Sequence, residues 1–377
     1  MKLSRRVLMG SAAVGAGVLA SSQGVAKAPA APLRYGPAPG IAKLNANENP
    51  FGPSEGAIKA MAEAASQGAY YVGESVPRLK AMIAERHGLM PEHISLSSGS
   101  SGVLSFFAIA KGKEGKILGP DLFWDTTAKA AERQGTEILR LPKRADLAID
   151  LDALYERIDD SVALVHVTNP NNPTGLTLDG DKLRAFCIKA SKKATVLVDE
   201  AYNELTEDPE YTSMVPLVKA GHDVVVARTF SKIYGLAGMR VGYMLSSPEH
   251  AESIRRYGLG DYALNQAGVA AAVASYDDTK FLALAKSRIE AARQQIVEAV
   301  TEMGLKPLPS QTNFLFVDLG KMNAEAFRER MARENVLIRG IYRDYTNWSR
   351  VSMGTEAAVS QYVSALPKVV DSLYASA

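Results

Sequence analysis

Cysteine is almost missing: Cys187 is the only one in 377 residues, which excludes an intrachain disulfide and a cysteine-rich zinc site. It sits in "LRAFCIKAS", an amphipathic helical pattern where a cysteine acts as a small buried apolar residue. Histidine is also scarce. His87, His93, His166, His222 and His250 show no metal-ligand spacing, so no metal is expected. Neither charge sign is in excess: 43 Lys and Arg face 41 Asp and Glu, a net charge of +2. That balance argues against nucleic acid or an anionic membrane as a partner. No G-x-G-x-x-G follows any candidate strand, which excludes the dinucleotide fingerprint of a nicotinamide dehydrogenase.

What is present is an ordinary globular composition, 47% hydrophobic and 22% charged, in a chain long enough for one large and one smaller domain. The first thirty residues read differently. "MKLSRRVLMGSAAVGAGVLASSQGVAKAPAAP" has a basic start, then a weakly apolar run of roughly 12–16 residues, short for a membrane span and suited to a signal h-region. Ala26-Lys27-Ala28 and Ala28-Pro29-Ala30 both fit an A-x-A cleavage site. Arg5-Arg6 after Ser4, with Leu8 following, looks like a twin-arginine export signal. The expectation is a signal peptide over 1–30, delivery to the periplasm, and a mature protein with no stable membrane insertion.

Residues 31–60, rich in Pro, Gly and Asn, read as an extended arm leading into a helix from about Ser54. Short aliphatic runs then alternate with helical patterns. The candidate strands are 93–97, 116–119, 137–141, 162–167, 194–199, 223–228 and 241–245, with helices at 124–135, 179–193 and 248–257 among those between them. Several of the runs are continuously apolar, as in strands covered on both faces. The alternation predicts an α/β fold: a three-layer αβα large domain over 61–258 with a mostly parallel sheet. From about 259 the texture changes to long helices, a strand at 312–319, a helix, the strand pair "VLIRG" and "SRVSMG", and a last helix over 355–375. That stretch, 259–377, is expected to be a smaller α+β domain.

In such sheets active sites lie beyond the carboxyl ends of the strands. "SGSSGVLSFF" opens a helix with small residues, and its free N–H groups suit an anion, although small loops before helices are common. "TNPNNPTG" has two Asn-Pro steps that turn an extended backbone and hold an asparagine amide at a strand end, or simply make a turn. Asp199 in "DEAY" ends a buried strand. Unpaired burial is costly, so it needs a cationic partner, and a structural ion pair is one reading. Lys232 in "TFSKIYGLAGMRVGY" lies in a Ser/Thr/Gly setting that can desolvate an amine and make it nucleophilic. Arg240 follows as a phosphate clamp or a strand-start arginine. Each signal alone is ambiguous. Together they describe one ligand with a phosphate, a phenolic oxygen, a cationic ring nitrogen and an aldehyde: pyridoxal 5′-phosphate, bound covalently through Lys232.

The chain resembles the fold-type I aminotransferases, and within them the histidinol-phosphate aminotransferase branch, from about Leu44 to the last helix. The matching motifs are "LNANENPFGP", "NPNNPTG", "VLVDEAY", "SKIYGLAGMRVGY" and "SRVSMGT". The resemblance implies that Lys232 carries the cofactor and moves the substrate proton. It implies that Arg240, Thr229 and Ser231, with the backbone at Gly99, Ser100 and Ser101, hold its phosphate. Asn172 and Tyr202 then bind the ring hydroxyl oxygen, Asp199 pairs with the ring nitrogen and Trp124 stacks on the ring. Tyr71 reaches the phosphate in the other subunit of a homodimer. Arg350 takes the substrate carboxylate, and Asn47 and Arg339 also face substrate. The implied reaction moves an amino group between an amino acid, or a histidinol-phosphate-like amine, and a 2-oxo acid. An aromatic amino-acid aminotransferase, a decarboxylase or lyase on the same scaffold, and an exported binding protein without turnover are the alternatives. Here "SGSSGVL" lacks the acidic pair usual after the phosphate-loop serine of that branch, and the amino donor stays open.

Overall fold

β-branched runs decide the centre of the molecule. The computed structural model describes residues 33–375. After β1 (Ala42–Lys43) and the helices α1 (Glu55–Ala65) and α2 (Ser75–His87), seven strands build the main sheet. They are β2 (Ile94–Ser98), β3 (Lys116–Gly119), β4 (Ile138–Arg140), β5 (Val162–Thr168), β6 (Thr195–Asp199), β7 (Val224–Thr229) and β8 (Val241–Leu245). Their order is β2-β8-β7-β6-β5-β3-β4. β8 alone runs antiparallel to its neighbours, and every other pairing is parallel.

The apolar runs are buried on both faces, as their continuity predicts. Val196, Val198, Val224 and Val226 turn to one core cluster. Leu197, Val225 and Ala227 turn to the other, against Val103, Leu104 and Phe107 of the helix α3 (Ser100–Gly112). Each such side chain contributes about 1.5–3 kcal/mol relative to exposure, so the sheet is a rigid platform for the loops at its end.

A second sheet lies toward the C-terminus. β9 (Lys306–Pro307) and β12 (Trp348–Ser352) flank β10 (Phe314–Asp318), all antiparallel. Helices Thr279–Glu302, Ala324–Arg333 and Glu356–Tyr374 accompany it. Residues 33–38 carry no helix or strand, and the chain from Pro39 onward forms one compact unit.

Two local expectations change. The helix read over 124–135 is only Ala128–Glu132, because irregular turns fill 120–127. The strand pair "VLIRG" and "SRVSMG" does not form as a ladder. Instead β11 (Val336–Leu337) pairs in parallel with β1 of the arm, and Arg339 meets Arg350 in a single bridge. β10 occupies one edge of β12 along five residue pairs, while the chain bulges away over 340–347 on the other. The helix at Gln266–Tyr276 packs on α1 and α2. Ser54 does start α1, its Oγ accepting from Ala57 N at 3.2 Å. The proposed signal peptide, with Arg5 and Arg6, lies outside the described residues. Among the described residues no helix is long and apolar enough to cross a membrane.

Candidate active site

Four strand ends open on one cavity of about 360 Å³. β2 delivers Ser100 and Ser101, β5 Asn172, β6 Asp199 and Tyr202, and β7 Thr229, Ser231 and Lys232. Trp124, Arg240, Arg339 and Arg350 line it as well, as do residues 45–48 of the arm.

One end is built for an anion. Gly99 has φ +76, and a Cβ there would lie 2.2 Å from Arg240 Nη2, so only glycine lets the guanidinium lie along the start of α3. Ser97 Oγ accepts from Val103 N at 2.9 Å, which satisfies one end-group of α3. Arg240, itself at φ +54, donates to the Ala237 carbonyl at 2.9 Å and reaches Ser231 Oγ at 3.4 Å. Among the described residues no carboxylate lies within ion-pair distance of it. Arginine, hydroxyls and a helix N-terminus together make a phosphate site.

Asp199 is 2% exposed. Among the described residues its carboxylate accepts one hydrogen bond, from Ala201 N at 3.2 Å. A structural ion pair, one of the two readings for Asp199, forms instead at the next residue: Arg228 donates to Glu200 from Nη2 at 2.7 Å and from Nε at 3.1 Å. Among the described residues no cation lies within ion-pair distance of Asp199, and burial, only partly offset by the charge of Lys232, pushes its carboxyl up to about 7. A buried acid left in this state fits a protonated ring nitrogen brought by a ligand.

Lys232 Nζ donates to the Asn47 carbonyl at 3.2 Å and lies 5.3 Å from the Tyr202 ring. Burial first, then the Arg350 charge, pushes the amine down to about 8. It is therefore partly neutral, and nucleophilic, near neutral pH. Tyr202 Oη accepts from Asn47 Nδ2 at 3.0 Å and Asn172 Nδ2 at 3.3 Å, while burial raises its hydroxyl to about 12. With both acceptor positions used, its proton is left to donate to a ligand oxygen.

Arg350 is 4% exposed. It donates to Asn172 Oδ1 at 2.7 Å and to the Asn45 carbonyl at 3.1 Å, and its Nε is buried without a partner. Phe314 and Tyr342 rings each lie 5.3 Å from the guanidinium. An uncompensated buried arginine of this kind calls for an anionic ligand. Arg339 lines the same cavity, 5.7 Å from the Tyr342 ring.

The structure thus brings together every residue singled out in the sequence except Tyr71 and Gly99, which do not line the cavity. Gly99 supports it from behind Arg240, and Tyr71 is exposed, edge-on to Tyr262 at 5.4 Å. Sequence reasoning passed over Asn45, Glu48 and Tyr342 in the lining. It also passed over Ser352 and Asn313, which fix Asn47: Ser352 Oγ accepts from Asn47 N at 2.9 Å, and Asn313 Nδ2 donates to the Asn47 carbonyl at 2.9 Å. The arm residues fall inside "LNANENPFGP", so their signal was present. Tyr342 has none, because it sits in an irregular loop.

The family described as aminotransferase class I and II matches residues 39–366. Histidinol-phosphate aminotransferase 1 of Cupriavidus pinatubonensis is 32% identical, over 88% of this chain and 89% of its own length. The histidinol-phosphate aminotransferase of Stutzerimonas stutzeri is 34% identical, over 88% and 89%. Among solved structures, histidinol-phosphate aminotransferase from Sinorhizobium meliloti, in complex with pyridoxal-5′-phosphate, superposes with a TM-score of 0.79 at 30% identity, covering 88% of this chain and 92% of that one.

Proposed function

Since the chain belongs to the class I and II aminotransferase family and is a pyridoxal-phosphate-dependent transaminase, we propose that its amino donor is an amino acid or a histidinol-phosphate-like amine held by an anionic group on Arg350. The observation that carries the reading is the presence of two unmatched buried charges, Asp199 and Arg350, in one cavity with a desolvated lysine.

When bound, the cofactor supplies a ring that accepts the electrons released from the substrate α-carbon. The chain's residues do the rest. Arg240, Ser100, Ser101, Thr229 and Ser231 hold the phosphate. Asp199 would keep the ring nitrogen protonated, Tyr202 and Asn172 would hold the ring oxygen, and Trp124 would pack against the ring. Lys232 would anchor the cofactor, and its Nζ, set free when the donor's amine takes its place, would be the neutral base that accepts the α-carbon proton. Arg350 orients the donor, a bidentate task that lysine does poorly. Arg339, a second arginine with no carboxylate in ion-pair reach among the described residues, supports donors with an anionic group at the far end as well. The curated relatives, named for histidinol phosphate, favour a phosphate there.

We further propose a homodimer in which Tyr71 completes the partner's site. The exposed large side chains Tyr70, Tyr71, Leu259 and Tyr262 support it. Export by the twin-arginine route suits a protein that takes up its cofactor while folding. The deciding experiment is a panel of single half-reactions, following the loss of the cofactor's visible absorbance with amino acids, dicarboxylic amino acids and histidinol phosphate. Borohydride should bleach the visible band and leave the cofactor covalently attached to wild type but not to Lys232→Ala. A colourless chain that cannot be reconstituted would refute the assignment, and fast turnover of donors lacking any anionic group would refute the role of Arg350.

A further inference from the structure

The loop after β3 carries Trp124 into the cavity, and besides its ties to Arg140 it is bound to the C-terminal part of the chain. Asp121, three residues before Trp124, is largely buried, with its side chain 14% exposed. Its carboxylate accepts from the Tyr345 hydroxyl and forms an ion pair with Arg343, Nη1 lying 3.0 Å from Oδ1. Its carbonyl oxygen accepts from Arg343 Nη1 at 2.7 Å and from Arg140 Nη1 at 3.1 Å. One residue on, the Leu122 carbonyl accepts from Asn171 Nδ2 at 3.0 Å, which ties the same loop to the turn carrying Asn172.

The other side of these contacts is equally fixed. Arg343 has φ +51, a left-handed backbone that a non-glycine residue holds only where its surroundings impose it. Tyr345 is 2% exposed and packs with Leu122, Leu147 and Phe316. Its backbone N donates to the Tyr342 carbonyl at 2.9 Å. Tyr342 then faces the cavity, where its ring meets the guanidinium groups of Arg350 and Arg339. One continuous set of contacts therefore runs from the wall holding Trp124 to the wall holding the donor's anionic group. None of Asp121, Arg343 and Tyr345 lines the cavity.

We propose that Asp121, gripped by Tyr345 and Arg343, is a positioning residue that sets the spacing between the Trp124 wall and the Tyr342–Arg350 wall of the cavity. It governs how closely the amino donor is held without touching it. The inference rests on the assignment of this cavity to cofactor and donor. A charge-assisted grip is the suitable device, because hydrogen bonds to an ionised group are roughly twice as strong as neutral ones, and this one spans elements far apart in the chain.

The test uses the cofactor-loaded enzyme with Asp121→Asn, Tyr345→Phe and the double variant. Tyr345→Phe keeps the ring packing, so it carries the test if Asp121→Asn fails to fold. The expected result is a KM for the amino donor raised about tenfold in Asp121→Asn, with cofactor affinity and the wavelength of the cofactor band unchanged. The double variant should be no worse than the poorer single one, because both substitutions remove one shared interaction. Wild-type KM in both single variants, with only a lower melting temperature, overturns the latch and leaves Asp121 as packing. A loss of cofactor affinity matching the KM change also overturns it. A wild-type chain that binds no cofactor overturns the assignment of the cavity, a separate and recognisable failure.

Discussion

Replacing Asp199 by Asn should make the cofactor-free protein more stable while it disables the enzyme. Asp199 is buried without a cation, and its carboxyl is pushed from the ordinary 3.8 to about 7, first by desolvation. In the unfolded chain the group ionises near 3.8; in the folded chain it holds its proton until about 7. The folded state therefore binds more protons between these values, and stability falls as pH rises through that window. Below it the group is neutral in both states and contributes nothing. Above it the full cost is present, about 4 kcal/mol at ~1.4 kcal/mol for each tenfold in proton affinity. Relaxation of the site reduces this figure, so a gain of about 2–4 kcal/mol is expected for Asp199→Asn at pH 8. Asparagine retains an oxygen for the Ala201 N–H, so the local turn survives. The assay is denaturant unfolding of cofactor-free wild type and variant at pH 4, 6 and 8. The two curves should converge at pH 4 and separate by pH 8. Pyridoxal phosphate should then reverse the order, because in the wild type the ring nitrogen supplies the missing cation. An Asp199→Asn protein with wild-type stability and pH slope at pH 8 would show that the carboxylate is already compensated within the chain.

The remaining predictions concern the cofactor end and export. Gly99→Ala should weaken cofactor binding, because its Cβ would lie 2.2 Å from Arg240 and its backbone sits at φ +76; the strain alone is about 1–3 kcal/mol, and a wild-type dissociation constant by absorbance titration would contradict it. Association of the cofactor with cofactor-free enzyme should quicken as pH rises through about 8, where Lys232 loses its proton, and level off above. Arg350→Met removes a neighbouring charge that holds the amine down, so it should move that midpoint upward in stopped-flow absorbance; an unmoved midpoint would remove the electrostatic link. Arg5-Arg6→Lys-Lys should abolish periplasmic delivery measured by cell fractionation, and unchanged delivery would remove the twin-arginine assignment.

Much of the main sheet was readable from sequence for a simple reason. Strands such as "ATVLVD" and "DVVVAR" are buried on both faces, so burial alone selects their residues and their composition reports it. The strand-end motifs were readable because chemistry restricts them. What failed was whatever depended on a partner far along the chain. Val336–Leu337 has no pattern that names Ala42–Lys43 as its neighbour, and the turns over 120–127 hide their order in contacts with Arg140, Arg343 and Tyr345. The two readings left open for Asp199 are instructive. Asp199 and Glu200 are adjacent carboxylates, and only the alternation of the strand decides which faces Arg228 and which faces the cavity.

The sequence by itself determined the alternating α/β framework and picked out the lysine, aspartate, asparagine, tyrosine and arginines that the fold gathers around one cavity. Hydrophobic period and residue chemistry are local properties, and they can be read locally. The tertiary structure decided which charges are left without partners. Asp199 and Arg350 are far apart in sequence and ordinary in type. They become a candidate site because folding buries both in one cavity with neither in an ion pair among the described residues, a long-range outcome that no short stretch of the chain encodes.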